Sequence, residues 1–299
     1  MKRRTFLQLS LGSFALPTLF SSAGLYGAEK FSPVIRFGVF TDAHYTPKGS
    51  LSQSLDKVRA AVKVFNEQRC NFAIELGDFK NDGADRQETL GYLDTIEEAF
   101  QAFNGAKYHV LGNHEMDKLS KKDVLSHTTN TGRANGKAYY AFIRNGVKFI
   151  VLDANYNLDG SDYDNDNFKW TEAMIPAGQL RWLEQQLRSR HPAVIFVHQL
   201  LDRFATPEGK YDHYVRNADE VVAILEKRKN VLAVFQGHQH NDRHSFRNGI
   251  HYCTLNALRH GDYPEHNAFA IVEIDRRCNM NIDGYVDCID VALPRNAAG

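Results

Sequence analysis

Three short apolar runs separated by two stretches of helical periodicity constrain this chain more than any other feature. Val34 to Phe40, Phe72 to Leu76 and Tyr108 to Leu111 are rich in β-branched and aromatic residues and have the length of buried strands. Between the first two, Leu55, Val58, Val62 and Phe65 recur at helical spacing, so Leu51 to Gln68 reads as an amphipathic helix. Leu90, Leu93, Ile96, Phe100 and Phe103 mark a second helix over Arg86 to Phe103. Strands alternating with helices build a parallel sheet with crossover connections, and ligand sites in such sheets gather at the carboxyl ends of the strands.

Polar fragments stand at those ends. Asp42-Ala43-His44 follows the first run, Gly77-Asp78 the second, and Gly112-Asn113-His114-Glu115 the third. A Gly-Asn pair alone marks only a turn, but the second half repeats the arrangement. Tyr139 to Ile143 and Val147 to Leu152 flank the hairpin signal Asn145-Gly146. A helix follows Pro176, with Leu180, Leu183 and Leu187 in register. Ala193 to Val197 is a strand ending at His198, and a helix near Ala218 to Lys227 leads to Val231 to Phe235, which ends at Gly237-His238-Gln239-His240. The remainder is strand and hairpin: His244 to Asn248, Ile250 to Leu255, Ala268 to Ile274 and Met280 to Ile289. Without an internal repeat or a low-complexity linker, two sheets sharing one core are expected rather than two domains.

Among the side chains of the five fragments are the carboxylates of Asp42 and Asp78, the amide of Asn113 and five imidazoles. A mixed oxygen and nitrogen set suits Mn, Fe or Zn rather than Ca or Mg, whose sites are nearly all oxygen. In this order the fragments D-x-H, G-D, G-N-H-E, H and G-H-x-H resemble the calcineurin-like metallophosphoesterase family, over Asp42 to His240. The resemblance implies a four-layer α/β/β/α sandwich of two mixed sheets flanked by helices. It also implies two divalent transition metal ions (Mn, Fe or Zn): Asp42, His44 and His240 would hold the first, Asn113, His198 and His238 the second, with Asp78 bridging. His114 would donate a proton to the leaving group, and Glu115 would keep its ring oriented. The purple acid phosphatase branch has glycine in place of the first histidine and a tyrosine three residues after the aspartate of G-D. Here those positions are His44 and Asn81, so no iron–tyrosinate site is expected.

Residues 1–23 read as a segment apart. Lys2, Arg3 and Arg4 precede an apolar stretch to about Phe20, interrupted by Pro17 and short for a bilayer span. This resembles a twin-arginine export signal, with Ser21-Ser22-Ala23 offering a cleavage site. The resemblance implies export by the twin-arginine machinery to the periplasm or beyond, a short segment over 24–33, a single domain over 34–292 and no stable membrane insertion after cleavage. The whole chain carries 36 basic and 36 acidic residues; losing Lys2, Arg3 and Arg4 leaves 33 against 36, a net charge of −3. Such a protein has no global field to attract a polyanion, so nucleic acid is not an expected partner and a nuclease is disfavoured. Cys70, Cys253, Cys278 and Cys288 lack the close pairing of a zinc cluster. Cys278 and Cys288 flank an expected hairpin around Asp283-Gly284, and can be either a disulfide or buried thiols.

Two long loops should shape the pocket. Asn155 to Trp170 carries Tyr163, Phe168 and Trp170, which could stack on a nucleoside base; Gln199 to Arg216 carries Arg203, which could take a distal phosphate. The Asp162, Asp164, Asp166 alternation lacks the glycine and glutamate of a calcium loop. Of the eight remaining histidines, His213 and His260 fall where substrate could bind. Along Phe37-Gly38-Val39-Phe40, Leu152-Asp153 and Trp182-Leu183, the chain is similar to the branch containing manganese-dependent ADP-ribose and CDP-alcohol diphosphatases. The expected activity is hydrolysis of a phosphomonoester, small phosphodiester or nucleotide diphosphate. The competing reading is an exported phosphate- or metal-binding protein without turnover.

Overall fold

The computed structural model describes residues 31–132, 137–207, 210 and 212–295. Residues 1–23, read above as an export signal, lie outside them. Two six-stranded sheets pack face to face with helices on both outer sides. In the first sheet, β1 (Pro33–Phe40), β2 (Phe72–Glu75) and β3 (Ala106–His109) are parallel, joined by α1 (Ser54–Glu67) and α2 (Arg86–Gln101). In the second, β4 (Tyr140–Arg144) and β5 (Val147–Val151) form the expected hairpin at Asn145-Gly146, whose φ angles of 47° and 82° are those of a primed turn. Parallel to β5 run β6 (Ala193–Phe196), β7 (Val231–Gln236) and β9 (Ile250–Thr254), with β8 (Arg243–Arg247) antiparallel at the edge. The tail returns to the first sheet: β10 (Ala268–Asp275) pairs antiparallel with β1, followed by β11 (Met280–Val286) and β12 (Val291–Leu293).

Strand alternation explains the layers. Ile35, Phe37 and Val39 point between the sheets, while Phe40 and Ala73 face the outer helices. The inner layer is aromatic: Phe37 stacks on Phe72 with ring centroids 4.8 Å apart and meets Phe149 of the opposite sheet edge-on at 5.7 Å. Val58, Val62 and Phe65 of α1 and Leu93, Ile96 and Phe100 of α2 cover the first sheet. Leu180 and Leu183 of α4 (Ala177–Gln186) and Val221, Val222 and Leu225 of α5 (Ala218–Glu226) cover the second.

Three local expectations change. A short helix, α3 (Lys121–His127), begins at a capping box of Ser120 and Asp123, a polar signal that the apolar-period reading passed over. The expected strand from Met280 to Ile289 ends at Val286, where φ is 56°, and the short strand β12 follows beyond it at Val291. Asp283-Gly284 is therefore not a turn but pairs with Ile271 and Ala270 inside β11. Cys278 and Cys288 are free thiols, the latter's Sγ directed at Asp242 Oδ1, 3.9 Å away.

Behind the strand ends, His109 is buried between two carboxylates, with Nδ1 2.8 Å from Glu75 and Nε2 3.1 Å from Glu97. Burial opposes its charge, but Glu97 and Glu75 raise its pKa to about 10. Because that value exceeds the unfolded one, the stabilisation is complete below about pH 6.5 and fades as pH climbs through 10. The H109Q variant should therefore lose about 3–5 kcal/mol near pH 6, and the gap to wild type should narrow by pH 10. Chemical denaturation at several pH values measures it.

Candidate metal centre

The backbone ladders continue past the strands and bring the polar fragments together. Asp42 and His44 N–H groups donate to the carbonyls of Gly77 and Asp78 (3.0 and 2.9 Å), binding the loop after β1 to that after β2. Gly237 N–H donates to His198 O at 3.0 Å, doing the same for the loops after β6 and β7. Two glycines permit the close approach. A Cβ on Gly112 would lie 2.3 Å from Asp78 Oδ1, and one on Gly237 would lie 2.1 Å from Thr41 Oγ1.

Asp42, His44, Asp78 and His240 form one cluster and Asp78, His198 and His238 a second, with the donor atoms of each within 4.8 Å of one another. Asp78 belongs to both. Five of these six residues are left-handed: Asp42 (φ 53°), His44 (46°), Asp78 (53°), His238 (67°) and His240 (61°). Non-glycine residues adopt that conformation at a cost of about 1–3 kcal/mol each. The rest of the fold must overdetermine it, and the return is that side chains at sharp strand exits point back at a common centre.

Hydrogen bonds fix how each group is presented. His198 Nδ1 donates to the Leu76 carbonyl (2.8 Å), leaving its Nε2 facing Asp78 Oδ2 at 3.1 Å and His238 Nδ1 at 3.1 Å. His44 Nδ1 bonds to Asn81 Oδ1 (2.8 Å), so its Nε2 is turned to His240 Nε2 at 3.1 Å. Asp42 Oδ2 accepts from Thr41 Oγ1 (2.6 Å) and His238 N–H (3.0 Å), while its Oδ1, 3.0 Å from His240 Nε2, makes no hydrogen bond of good geometry among the described residues. Asn113 is buried beside Asp78, whose Oδ1 accepts from the next N–H in the chain, His114 (2.9 Å); Asn113 Oδ1 likewise has no donor. Buried acceptors without donors, converging with imidazole nitrogens, are an arrangement that a cation satisfies.

The electrostatics agree. Burial alone would raise Asp42 and Asp78. The rings of His240 and His44 hold Asp42 well below the usual carboxylate range, and those of His198 and His114 do so for Asp78. Both carboxylates are therefore ionised although they are buried. At its mouth lies half-buried His114, its ring centroid 4.8 Å from that of His44. Burial lowers the His114 pKa, but Asp78 and then a short Nδ1 hydrogen bond to Asp117 raise it to about 9.

Glu115 does not orient His114. Its carboxylate accepts from the N–H groups of Gly112 (2.6 Å), Asp78 (2.9 Å) and Phe79 (2.8 Å), tying two motif loops together. Asp117 holds the ring instead, and buried Lys80 braces the turn through the carbonyls of His114 and Asp117. Neither residue belongs to a recognisable motif. His213 and His260 do border the centre, with rings 5.1 Å from His238 and 5.5 Å from His240. Tyr163 and Phe168 are not available for stacking: they stack on each other at 4.3 Å in a small core with Met116 and Ala173. Asp162 and Asp166 pair with Lys121 and Lys118. Arg203 turns to Arg216 O and Asp219.

Known proteins resemble this chain in sequence and fold. Residues 35–242 match the calcineurin-like phosphoesterase family. A manganese-dependent ADP-ribose/CDP-alcohol diphosphatase of Oryza sativa subsp. japonica is 26% identical over 84% of this chain and 91% of its own length. One from Arabidopsis thaliana is 22% identical over 77% and 88%. The crystal structure of a dimetal phosphatase from Danio rerio superposes with a TM-score of 0.77 at 20% identity, covering 89% of this chain and all of that one. With the family match spanning most of the folded chain, this protein belongs to the calcineurin-like phosphoesterases, metal-dependent hydrolases of phosphoric ester bonds.

Proposed function

We propose that the chain hydrolyses a small phosphorylated substrate, a nucleotide-type diphosphate or diester foremost, at a pair of divalent transition metal ions. The observation that carries this is the sharing of Asp78 between two clusters of ionised or lone-pair donors. Asp42, His44 and His240 would hold one ion, Asn113, His198 and His238 the other, and Asp78 both. Bound ions would supply Lewis acidity and a water of lowered pKa. Two divalent cations against the charges of Asp42 and Asp78 leave a positive surplus for a phosphoryl group, and the neutral amide of Asn113 preserves it. His114 donates its proton to the departing oxygen, and Asp117 keeps the ring oriented and charged. The diphosphatase names of the plant relatives support a nucleotide-type substrate.

Metal analysis, followed by assays of ADP-ribose, CDP-alcohols, p-nitrophenyl phosphate and its bis ester under Mn, Fe and Zn, tests the reading. No turnover of any ester under any of the three would sink it. Saturating Mn²⁺ should also stabilise the fold by about 2.7 kcal/mol for each ion bound at a hundredfold excess over its Kd. In a thermal melt this is an upward shift of several degrees, reversed by EDTA. We also propose export by the twin-arginine route, supported by Arg3-Arg4 ahead of the apolar stretch. Lysine at both positions should leave the protein in the cytoplasmic fraction.

A further inference from the structure

Resting on the reading of the centre as a phosphoryl site, we infer that Trp170, backed by His213, is the stacking platform for the base of a nucleotide whose phosphate lies at the centre. Trp170 is 42% exposed. Among the described residues, the other large exposed hydrophobic side chains are Phe31, Ile143, Leu158 and Phe246; of the five, Trp170 is the one whose ring contacts a residue of the metal centre. Its centroid lies 5.6 Å from that of His238 and 5.2 Å from that of His213, and His213 in turn lies 5.1 Å from His238. The three rings form a wall that begins at a proposed metal ligand and ends in solvent.

Both sides of this wall are held before any ligand arrives. The loop leading to Trp170 is pinned by Asn165 N–H to Leu119 O (2.8 Å), by Lys118 to Asp166 (2.7 Å) and by the Tyr163–Phe168 stack. Beyond it, Arg216 N–H donates to Ala173 O at 2.7 Å, and the Asn217 side chain grips both the N–H and the carbonyl of Ile175. His213 is delivered by the return of its loop onto Leu200, two residues past His198: Leu200 N–H donates to His213 O at 3.1 Å and Val215 N–H to Leu200 O at 3.0 Å. A prebuilt site loses little ordering entropy on binding.

The chemistry favours a base over other occupants. A phosphate gains nothing from an exposed indole, whereas any nucleobase has a flat π-face to lay on it, independent of base identity. One imidazole separates the indole from the centre, which places the platform about a ribose away from a bound phosphoryl group. Trp170 is thus the specificity-determining residue that the aromatic loop contributes, while Tyr163 and Phe168 build its support.

The chain has two tryptophans, so in the W182F protein the fluorescence reports Trp170 alone. With Mn²⁺ present, AMP should quench it and bind about 10- to 100-fold tighter than ribose 5-phosphate, which has the same phosphate and sugar but no base. Calorimetry reads the variants that lack this indole: in W170A the two ligands should bind equally, and W170F should keep most of the preference. The inference is overturned if ribose 5-phosphate binds and AMP binds no tighter, or if W170A keeps the preference. If neither ligand binds in the presence of Mn²⁺, the phosphoryl-site reading falls and takes this inference with it.

Discussion

The D78A variant should lose both metal positions and at least about 10³-fold in turnover, the largest effect of any single substitution in this protein. Asp78 is the one side chain common to both donor clusters, and removing it also deprives the His114 N–H of its acceptor. A lost oxyanion-hole donor costs about 10²–10³; losing the ions removes both the charge that meets the phosphoryl group and the source of a nucleophile at neutral pH. H240A touches one cluster and should leave the ion of the other bound. Metal content after dialysis separates the cases: about two per chain in wild type, one in H240A and near none in D78A. Two tightly held ions in D78A would refute the bridging role.

His114→Ala should leave metal content unchanged while slowing hydrolysis of poor leaving groups by about 10²–10⁴-fold, the range of a positioned general acid. The effect should nearly vanish for p-nitrophenyl esters, whose leaving oxygen needs no proton to depart. His114 contacts the centre through ring packing on His44 and its own N–H on Asp78, not by offering a ring nitrogen to either cluster. D117N should give a smaller loss with the same leaving-group dependence, because the amide still reaches Nδ1 but no longer favours the charged ring. An equal loss for good and poor leaving groups would refute proton donation.

The fold was largely legible because burial on both faces writes strands as unbroken apolar runs and helix crossovers as 3.6-residue periods. Val34 to Phe40 and Ala193 to Val197 needed nothing more. Reading failed where a polar or backbone signal decides: α3 depends on the Ser120–Asp123 box, and the break after Val286 on a left-handed backbone at a β-branched residue. The aromatic loop shows the same limit, since Tyr163, Phe168 and Trp170 are alike in sequence and only packing separates the two that support from the one that is exposed.

Residue identity and order at the strand ends determined which donors this protein brings together, because a strand end in such a sheet can face only one edge. Only the tertiary structure decided which carboxylate serves each task. Glu115, next in chain to His114, binds three backbone N–H groups, and Asp117, two residues further on, takes the imidazole. Hydrogen-bond partners are set by the direction in which each turn points its side chain, and that direction depends on left-handed backbone angles and neighbouring loops that no local pattern of residues encodes.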